Sequence, residues 1–510
     1  MPVLKRMSVT LLLVAILTGC ASLPEEIKHP IEPMITPPTS TLSVLTDTYR
    51  PESLGQGTSA ILLQDTGWDA LAQRLALIEM AEHSIDIQYY IWNSDTSGHY
   101  LANRLIAAAD RGVQVRVMLD DINLDEREDL LVALDSHPQI DIRVFNPIPS
   151  RRGVVKWLSV LGDFSRLNRR MHNKSFTVDG ALSIVGGRNI GDEYFDLSDE
   201  INFRDRDVLV MGSVVTDIQA SFGEYWDSRW SYPVDLLGGE ASSGMPVFSE
   251  VAAPRYKNYP ALPEGNKVAH RFLKGLMDEM IWVQARFVFD RPVPVDAENT
   301  SEPKATARLL AELTRQADHE VLLESAYLIF DDRQLEDAQA LSNNGIQIKA
   351  LTNSMASNDL VTNHSGYAGR RRDMLDHGIQ LFELKPDANL CEESTRDLSK
   401  CAPTTAYGLH AKSVVFDRRV SGIGSFNFNL RSTYLNTESL LVIENQSVAE
   451  SLAEDIEQAM DEDNSWRLDL HEGEVRWYSG SKSWESEPET GWWDRTKSGF
   501  LQLFPIEKYL

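Results

Sequence analysis

Amphipathic stretches and short apolar runs alternate along most of this chain. Trp68 to Ala81 repeats its apolar positions with helical spacing and leads into SIDIQYYI, which reads as a strand. A second amphipathic stretch precedes VQVRVML and a third precedes IDIRVF. The second half returns to the same order: Ala305 to Ala317 before EVLLESAYLI, Leu335 to Leu341 before IQIKALT, then GIQLFEL. AADRGVQVRVMLD and ALSNNGIQIKALT run in register, Gly112 against Gly345. This order predicts an α/β chain of two duplicated sandwich lobes, each with a mixed sheet. The expected lobes are 61–240 and 303–465, with 241–302 connecting them and 466–510 an aromatic carboxyl-terminal extension.

The duplication extends to residues that carry chemistry. MHNKSFTVD at 171–179 returns as LHAKSVVFD at 409–417. Both copies read His-x-Lys-x-x-x-x-Asp, as His172, Lys174 and Asp179, then His410, Lys412 and Asp417. An asparagine follows each histidine by 17 residues: Asn189 in GGRN and Asn427 in GSFN. The copies differ where Ser425 replaces Gly187. Residues two apart on a strand face the same side. His and Lys are therefore expected to point together into one cleft, with Asn173 or Ala411 turned away. Two such half-sites predict a single active site at a pseudo-twofold axis, with the two sheets docked edge to edge or face to face.

The residue types suit a phosphodiester. Its negative charge repels anionic nucleophiles, so a neutral imidazole must attack while cations hold the non-bridging oxygens. Lys174, Lys412 and the amides of Asn189 and Asn427 supply such donors. The attacking histidine becomes a phosphohistidine, dividing one hard displacement into two easier ones. The other histidine starts as general acid and ends as general base, a role worth roughly 10²–10⁴-fold in rate. Two lysines and an imidazolium make a metal unnecessary, and no cofactor is expected. A Ser425 hydroxyl would add one more donor to the phosphate.

The acidic residues divide into two groups. Asp179 and Asp417 end apolar runs, and Asp179-Gly180 is a hairpin signal. Their expected job is fixing the turn and its hydrogen bonds. Glu438 lies 28 residues past His410 and opens the next strand, and Asp207 opens the comparable strand of the first half. A carboxylate accepting the other ring N–H would set each histidine's tautomer. The alternative for both is a plain charge at a strand start.

These motifs resemble the phospholipase D superfamily. DFSRLNRRMHNKSFTVDG, GGRNIGDEYF, FRDRDVLVMG and LFPIEKYL are similar to its bacterial cardiolipin synthase C branch, over about residues 60 to 510. The resemblance implies a two-lobed phosphatidyltransferase in which His172, Lys174, Asn189, His410, Lys412 and Asn427 form one site, with His172 the nucleophile. The sequence itself does not break that symmetry. The implied reaction is phosphatidyl transfer to phosphatidylglycerol, with phosphatidylethanolamine a second candidate lipid. The same residues would serve a phospholipase D that releases phosphatidic acid, and a lipid-binding lipoprotein without activity is the remaining alternative.

Charge and length narrow the picture. A chain of 510 residues is long enough for two sizeable cores. Its net charge of -27 argues against a nucleic-acid partner, since such proteins neutralise phosphates with basic surfaces. Contact with a membrane surface then has to use local patches. Arg151 to Lys174 holds seven basic residues and one acid, Asp163, interleaved with apolar ones, either a patch for anionic headgroups or a basic helix packed on the body. The tail carries Trp492, Trp493, Phe500, Leu501, Leu503, Phe504 and Leu510; aromatics of this kind favour interfaces, and a helix packed on the protein body is the equal alternative. The sequence names no protein partner.

The amino terminus predicts export. Lys5 and Arg6 precede an apolar stretch of eleven residues, Met7 to Leu17, too short to span a membrane that needs about 20. Leu17-Thr18-Gly19-Cys20 resembles a bacterial lipobox, which implies a signal peptide over 1–19 and lipidation of Cys20. With Ala21 and Ser22 next, the resemblance to sorted lipoproteins implies the outer membrane, facing the periplasm. The proline-bearing segment over 20–60 reads as a tether. Cys391 and Cys401 then remain, and an oxidising compartment predicts a disulfide between them.

Overall fold

A computed structural model of the chain describes residues 39–55, 57–124, 128–148, 164–237, 253–255, 258–292, 302–395 and 397–502. Cys20, the basic stretch from Arg151 to Asp163, and Leu503, Phe504 and Leu510 lie outside the described residues.

Among the described residues one mixed sheet of 18 strands runs through both lobes. From its outer edge the first lobe orders Ser231–Pro233, Ile140–Phe145, Gln114–Asp120, Ser84–Tyr89, Ser175–Val178, Leu182–Gly186, Asp207–Gly212 and Thr58–Gln64. The second lobe repeats that order outward from the middle. It runs Ile281–Phe289, Ser439–Glu444, Val420–Gly424, Lys412–Phe416, Glu320–Ser325, Gln347–Asn353, Ile379–Leu384 and Ser465–His471. A hairpin, Glu474–Ser479 and Lys482–Trp484, extends its far edge. Thr58 to Ile61 pairs antiparallel with Ile281 to Gln284, so the two sheets join edge to edge.

Three neighbouring strands in each lobe are parallel, and their Val- and Ile-rich runs are buried as such strands require. Gly112 and Gly345 occupy the same place in the two lobes, just past helices Thr96–Asp110 and Asp332–Asn343. Both have a positive φ, +94° and +85°, the left-handed residue that ends a helix and turns the chain into a strand.

Two boundaries differ from expectation. The second lobe starts at Ile281, inside the segment expected to connect the lobes, because Ile281–Phe289 is the counterpart of Thr58–Gln64. Exposed Gln284 and Arg286 interrupt its apolar run and hide the strand from sequence patterning. The preceding helix, Asn266–Glu279, packs on helix Gly67–Met80, which explains why the latter is buried nearly all round. Part of the expected tether, 20–60, is instead packed on the first lobe. Ser40 caps helix Thr41–Tyr49, which buries Leu42 and ties Tyr49 to Asp278 through a 2.6 Å hydrogen bond.

A second joint links the lobes. Cys391 and Cys401 form a disulfide, with Cα atoms 5.8 Å apart. Lys400 within that loop donates to the first lobe at Leu197 O (2.8 Å) and Asp199 (2.5 Å). Strand Ala406–Leu409 follows and pairs in parallel with Ile201–Arg204 of the first lobe. Among the described residues no helix is long and apolar enough to cross a membrane.

Candidate active site

Each motif histidine lies where the chain leaves its own sheet and pairs with the other lobe. Strand Ser175–Val178 begins three residues after His172, and Met171 bridges to Thr437. The His172 N–H donates to Thr437 O (2.9 Å) and the Thr437 N–H to Arg170 O (2.9 Å). The His410 and Ala411 N–H groups both donate to Arg204 O, at 2.7 and 3.0 Å. Histidine and lysine therefore do not share a strand, as their spacing suggested. Lys174 Nζ instead folds back on His172 O (2.8 Å), and Lys412 Nζ on His410 O. Asn173 is not idle either: it donates to Glu438 O (3.1 Å) and accepts from Thr437 Oγ1 (2.8 Å), clamping the lobes.

The orienting carboxylates cross between lobes. His172 Nδ1 meets Glu438 Oε2 at 2.8 Å, and His410 Nδ1 meets Asp205 Oδ2 at 2.5 Å, all four residues buried. A carboxylate at Nδ1 places the ring proton there and leaves Nε2 with its lone pair for the substrate. Asp205, not Asp207, fills this role in the first lobe. Asp207 is committed to the buried Arg74 guanidinium at 2.7 Å and anchors helix Gly67–Met80 to the sheet. Strand starts in the sequence align Asp207 with Glu438, whereas Asp205 sits in the two-residue break between strands Ile201–Arg204 and Asp207–Gly212.

The Gly187 and Ser425 difference follows from these pairs. A Cβ on Gly187 would stand 2.3 Å from Asp205 Oδ1, so the short aspartate needs glycine beneath it. Opposite the longer Glu438, Ser425 Oγ donates to Oε2 (2.5 Å) and Ser432 Oγ to Oε1 (2.6 Å). The Ser425 hydroxyl thus serves Glu438 and not a substrate phosphate. Asp179 and Asp417 lie away from the imidazoles. Asp179 accepts from the N–H groups of Glu82, His83 and Ser84, and Asp417 from those of Asp318, His319 and Glu320. Both pin the start of a central strand.

The asparagines behave differently from each other. Asn189 Nδ2 donates to Tyr194 OH (3.0 Å) and its Oδ1 accepts from the Ile91 N–H (3.3 Å). Tyr194 stands edge-on to His410, ring centroids 5.0 Å apart, as Tyr90 does to His172 at 4.8 Å. Asn427 keeps a buried Oδ1 without a hydrogen-bond partner, a group whose need a ligand can meet. The tyrosines and Ser432 carry no repeat signature, which is why the sequence did not single them out.

The electrostatics place both motifs in one site. Burial pushes His172 down to about 4 against the pull of Glu438, and Lys174 and Lys412 push the same way. Burial brings His410 to about 3, with Lys412 and Lys174 again lowering it and Asp205 opposing. Each lysine thus acts on the other motif's imidazole. Burial also lowers Lys174 to about 7 and Lys412 to about 8. Against the upward push of burial, the histidines and lysines hold Glu438 and Asp205 below the ordinary carboxylate range. The result is neutral imidazoles beside cations, fit to receive an anionic phosphate.

A family profile described as Cardiolipin synthase, PLD-like domain, matches residues 75–226 and 310–460, each span holding one His-x-Lys motif. The chain belongs to this family. It is 36% identical over 460 residues to cardiolipin synthase C of Escherichia coli, covering 86% of this chain and 93% of the relative. It is 32% identical over 426 residues to an uncharacterized protein of Helicobacter pylori, 82% of each chain. The crystal structure of phosphatidylserine synthase from Haemophilus influenzae has a similar fold, with a TM-score of 0.56 at 13% identity over 88% of this chain and 95% of that one. The superfamily and the duplicated fold read from the motifs are thereby borne out.

Proposed function

We propose that this chain makes cardiolipin by transferring a phosphatidyl group to phosphatidylglycerol. The crossed pairs His172–Glu438 and His410–Asp205 carry the reading, because they leave two imidazole Nε2 atoms to serve one phosphorus. His172 Nε2 attacks the donor's phosphorus and the bond to the headgroup oxygen breaks. The bound phosphodiester's negative charge offsets the burial that keeps His410 neutral in the empty site, so His410 takes up a proton at Nε2 and gives it to the departing alkoxide, and the headgroup alcohol leaves. A glycerol hydroxyl of phosphatidylglycerol then attacks the phosphohistidine as His410 takes its proton, and the P–N bond breaks. Lys174 and Lys412 neutralise the non-bridging oxygens through both steps.

Lipid products after incubation with phosphatidylglycerol, with and without phosphatidylethanolamine, test this by mass spectrometry. Cardiolipin is expected; phosphatidic acid alone would replace transfer with hydrolysis. The family and the crossed site support the lipid substrate class, and the two named lipids are part of the proposal.

The same reading places the protein on a membrane. Cys20 as a lipid anchor on the periplasmic face of the bacterial outer membrane is consistent with the Leu17-Thr18-Gly19-Cys20 run and the disulfide. Loss of palmitate labelling in Cys20→Ala checks the anchor. Trp492 and Trp493 begin helix Trp492–Leu501, stacked 4.2 Å apart and 60% and 59% exposed. Their contact with lipid is tested by vesicle flotation of Trp492→Ala, Trp493→Ala.

A further inference from the structure

Beside the His172 half of the site lies a small cavity, partly open to solvent and lined by Arg166, Arg169 and Arg170 together with Asn146, Trp230 and Thr437. Its walls are unusually basic for a buried place in so acidic a protein. Arg170 is 1% exposed; it donates to Asp120 (3.1 Å) and to Asn146 O (2.9 Å), and its Nε–H has no acceptor. A buried guanidinium N–H left unmet is rare and costly. Arg166 donates to Asn146 Oδ1 (2.5 Å) and Pro147 O (3.4 Å), with its guanidinium 6.0 Å from the Trp230 ring. Lys304 adds a further buried cation near Arg169. Burial lowers both Lys304 and Arg169, so an anion here would relieve both.

The cavity is close to the chemistry. Arg170 precedes His172 by two residues on a chain whose backbone is paired to Thr437, and Thr437 adjoins Glu438. An extended chain advances ~3.3 Å per residue, which sets the Cα of Arg170 roughly 7 Å from that of His172. A phosphatidylglycerol acceptor carries its own phosphodiester three carbons from the hydroxyl that reacts. A three-carbon bridge spans a similar interval. Guanidinium groups offer paired N–H donors that match phosphate oxygens.

We propose that this cavity is the acceptor subsite, where Arg166, Arg169 and Arg170 hold the phosphodiester of the incoming phosphatidylglycerol while its glycerol hydroxyl reaches the phosphohistidine. This rests on the transfer reaction above and adds what selects the acceptor: a neutral alcohol would reach the same phosphohistidine without using the arginines.

The test is a competition at one phosphoenzyme. The full-length protein receives dioleoylphosphatidylglycerol vesicles and ethanol, and cardiolipin and phosphatidylethanol are measured together. Arg169→Gln and Arg166→Gln are each expected to lower the cardiolipin-to-phosphatidylethanol ratio about tenfold, as loss of a charge-assisted hydrogen bond would. Arg169→Lys should retain more of the ratio than Arg169→Gln. An unchanged ratio, including an equal fall of both products, overturns the subsite. Phosphatidylethanol without cardiolipin from the unaltered protein would instead remove phosphatidylglycerol as the acceptor, and the subsite with it.

Discussion

Asp205 and His410 are 2.5 Å apart at the carboxylate and ring Nδ1, yet they belong to different lobes. Glu438 and His172 form the reverse pair. Neither lobe holds a complete imidazole and carboxylate of its own, so the site exists only where the lobes meet. Arg206 reinforces the same seam, reaching Asp65 in its own lobe and Glu324 and Asp455 in the other.

Asp205→Asn should lower kcat by roughly 10²–10⁴-fold with little change in KM, because the amide no longer holds His410 in the working tautomer. Asp207→Asn, two residues on, should leave kcat near normal and lower the melting temperature, since breaking a buried pair such as Asp207–Arg74 costs about 3–5 kcal/mol. Steady-state kinetics beside thermal melts separate the two. Equal kcat losses would contradict the assignment of Asp205.

Gly187→Ser should lose kcat by about a hundredfold, since small misplacements of a catalytic group have effects of that order. The added Cβ meets Asp205 Oδ1, the movable end of a side chain, so the fold can absorb it while the carboxylate is displaced. Its melting temperature should stay close to that of the parent. Ser425→Gly removes one hydrogen bond to a carboxylate that keeps two others and should have a smaller effect, about tenfold. A Gly187→Ser protein with full activity would show that Asp205 is not needed in place.

Which parts of this arrangement were legible in the sequence follows from what repeats. The two motifs, the asparagines and the Gly112 and Gly345 register are local patterns written twice, and they gave the duplicated α/β lobes. Glu438 stood out because it directly precedes a strand. Asp205 did not, because it stands two residues before the start of strand Asp207–Gly212, whereas Glu438 abuts strand Ser439–Glu444, and matching strand starts therefore selects Asp207. Ile281–Phe289 escaped notice because an edge-joining strand tolerates polar residues that a central strand excludes. Asp179 and Asp417 belong to the repeat for structural reasons: each caps three N–H groups at a strand start, a task as fixed by geometry as catalysis.

Stability should fall as the medium turns acidic. His172 and His410 titrate near 4 and 3 when folded, below the ordinary value of about 6.5, so the unfolded chain binds more protons. The loss begins as pH drops below about 6.5 and continues towards the folded values. Glu438 and Asp205, also held low, add to it with the same sign. The melting temperature should therefore decrease from pH 7.5 to 4.5, and less so in a His172→Gln, His410→Gln double variant. Equal declines in both proteins would mean that the imidazoles are not buried neutral.

The disulfide should contribute to the site as well as to the fold. The loop closed by Cys391 and Cys401 is gripped by the first lobe through Lys400, and the strand that follows pairs with Ile201–Arg204. Leu409 ends that strand just before His410, and Arg204 ends its partner just before Asp205, so the same ladder aligns both members of the pair. Closing a loop with a sequence separation of 10 is worth roughly 2.5–3 kcal/mol in the chain-entropy description. Cys391→Ser, Cys401→Ser should lower the melting temperature by several degrees and kcat a few-fold, well short of Asp205→Asn. The ladder keeps its hydrogen bonds when the disulfide is gone, so alignment is loosened and not lost. Differential scanning calorimetry and kinetics under matched reducing and oxidising conditions check both parts, and a kcat unchanged by reduction would confine the disulfide to stability alone.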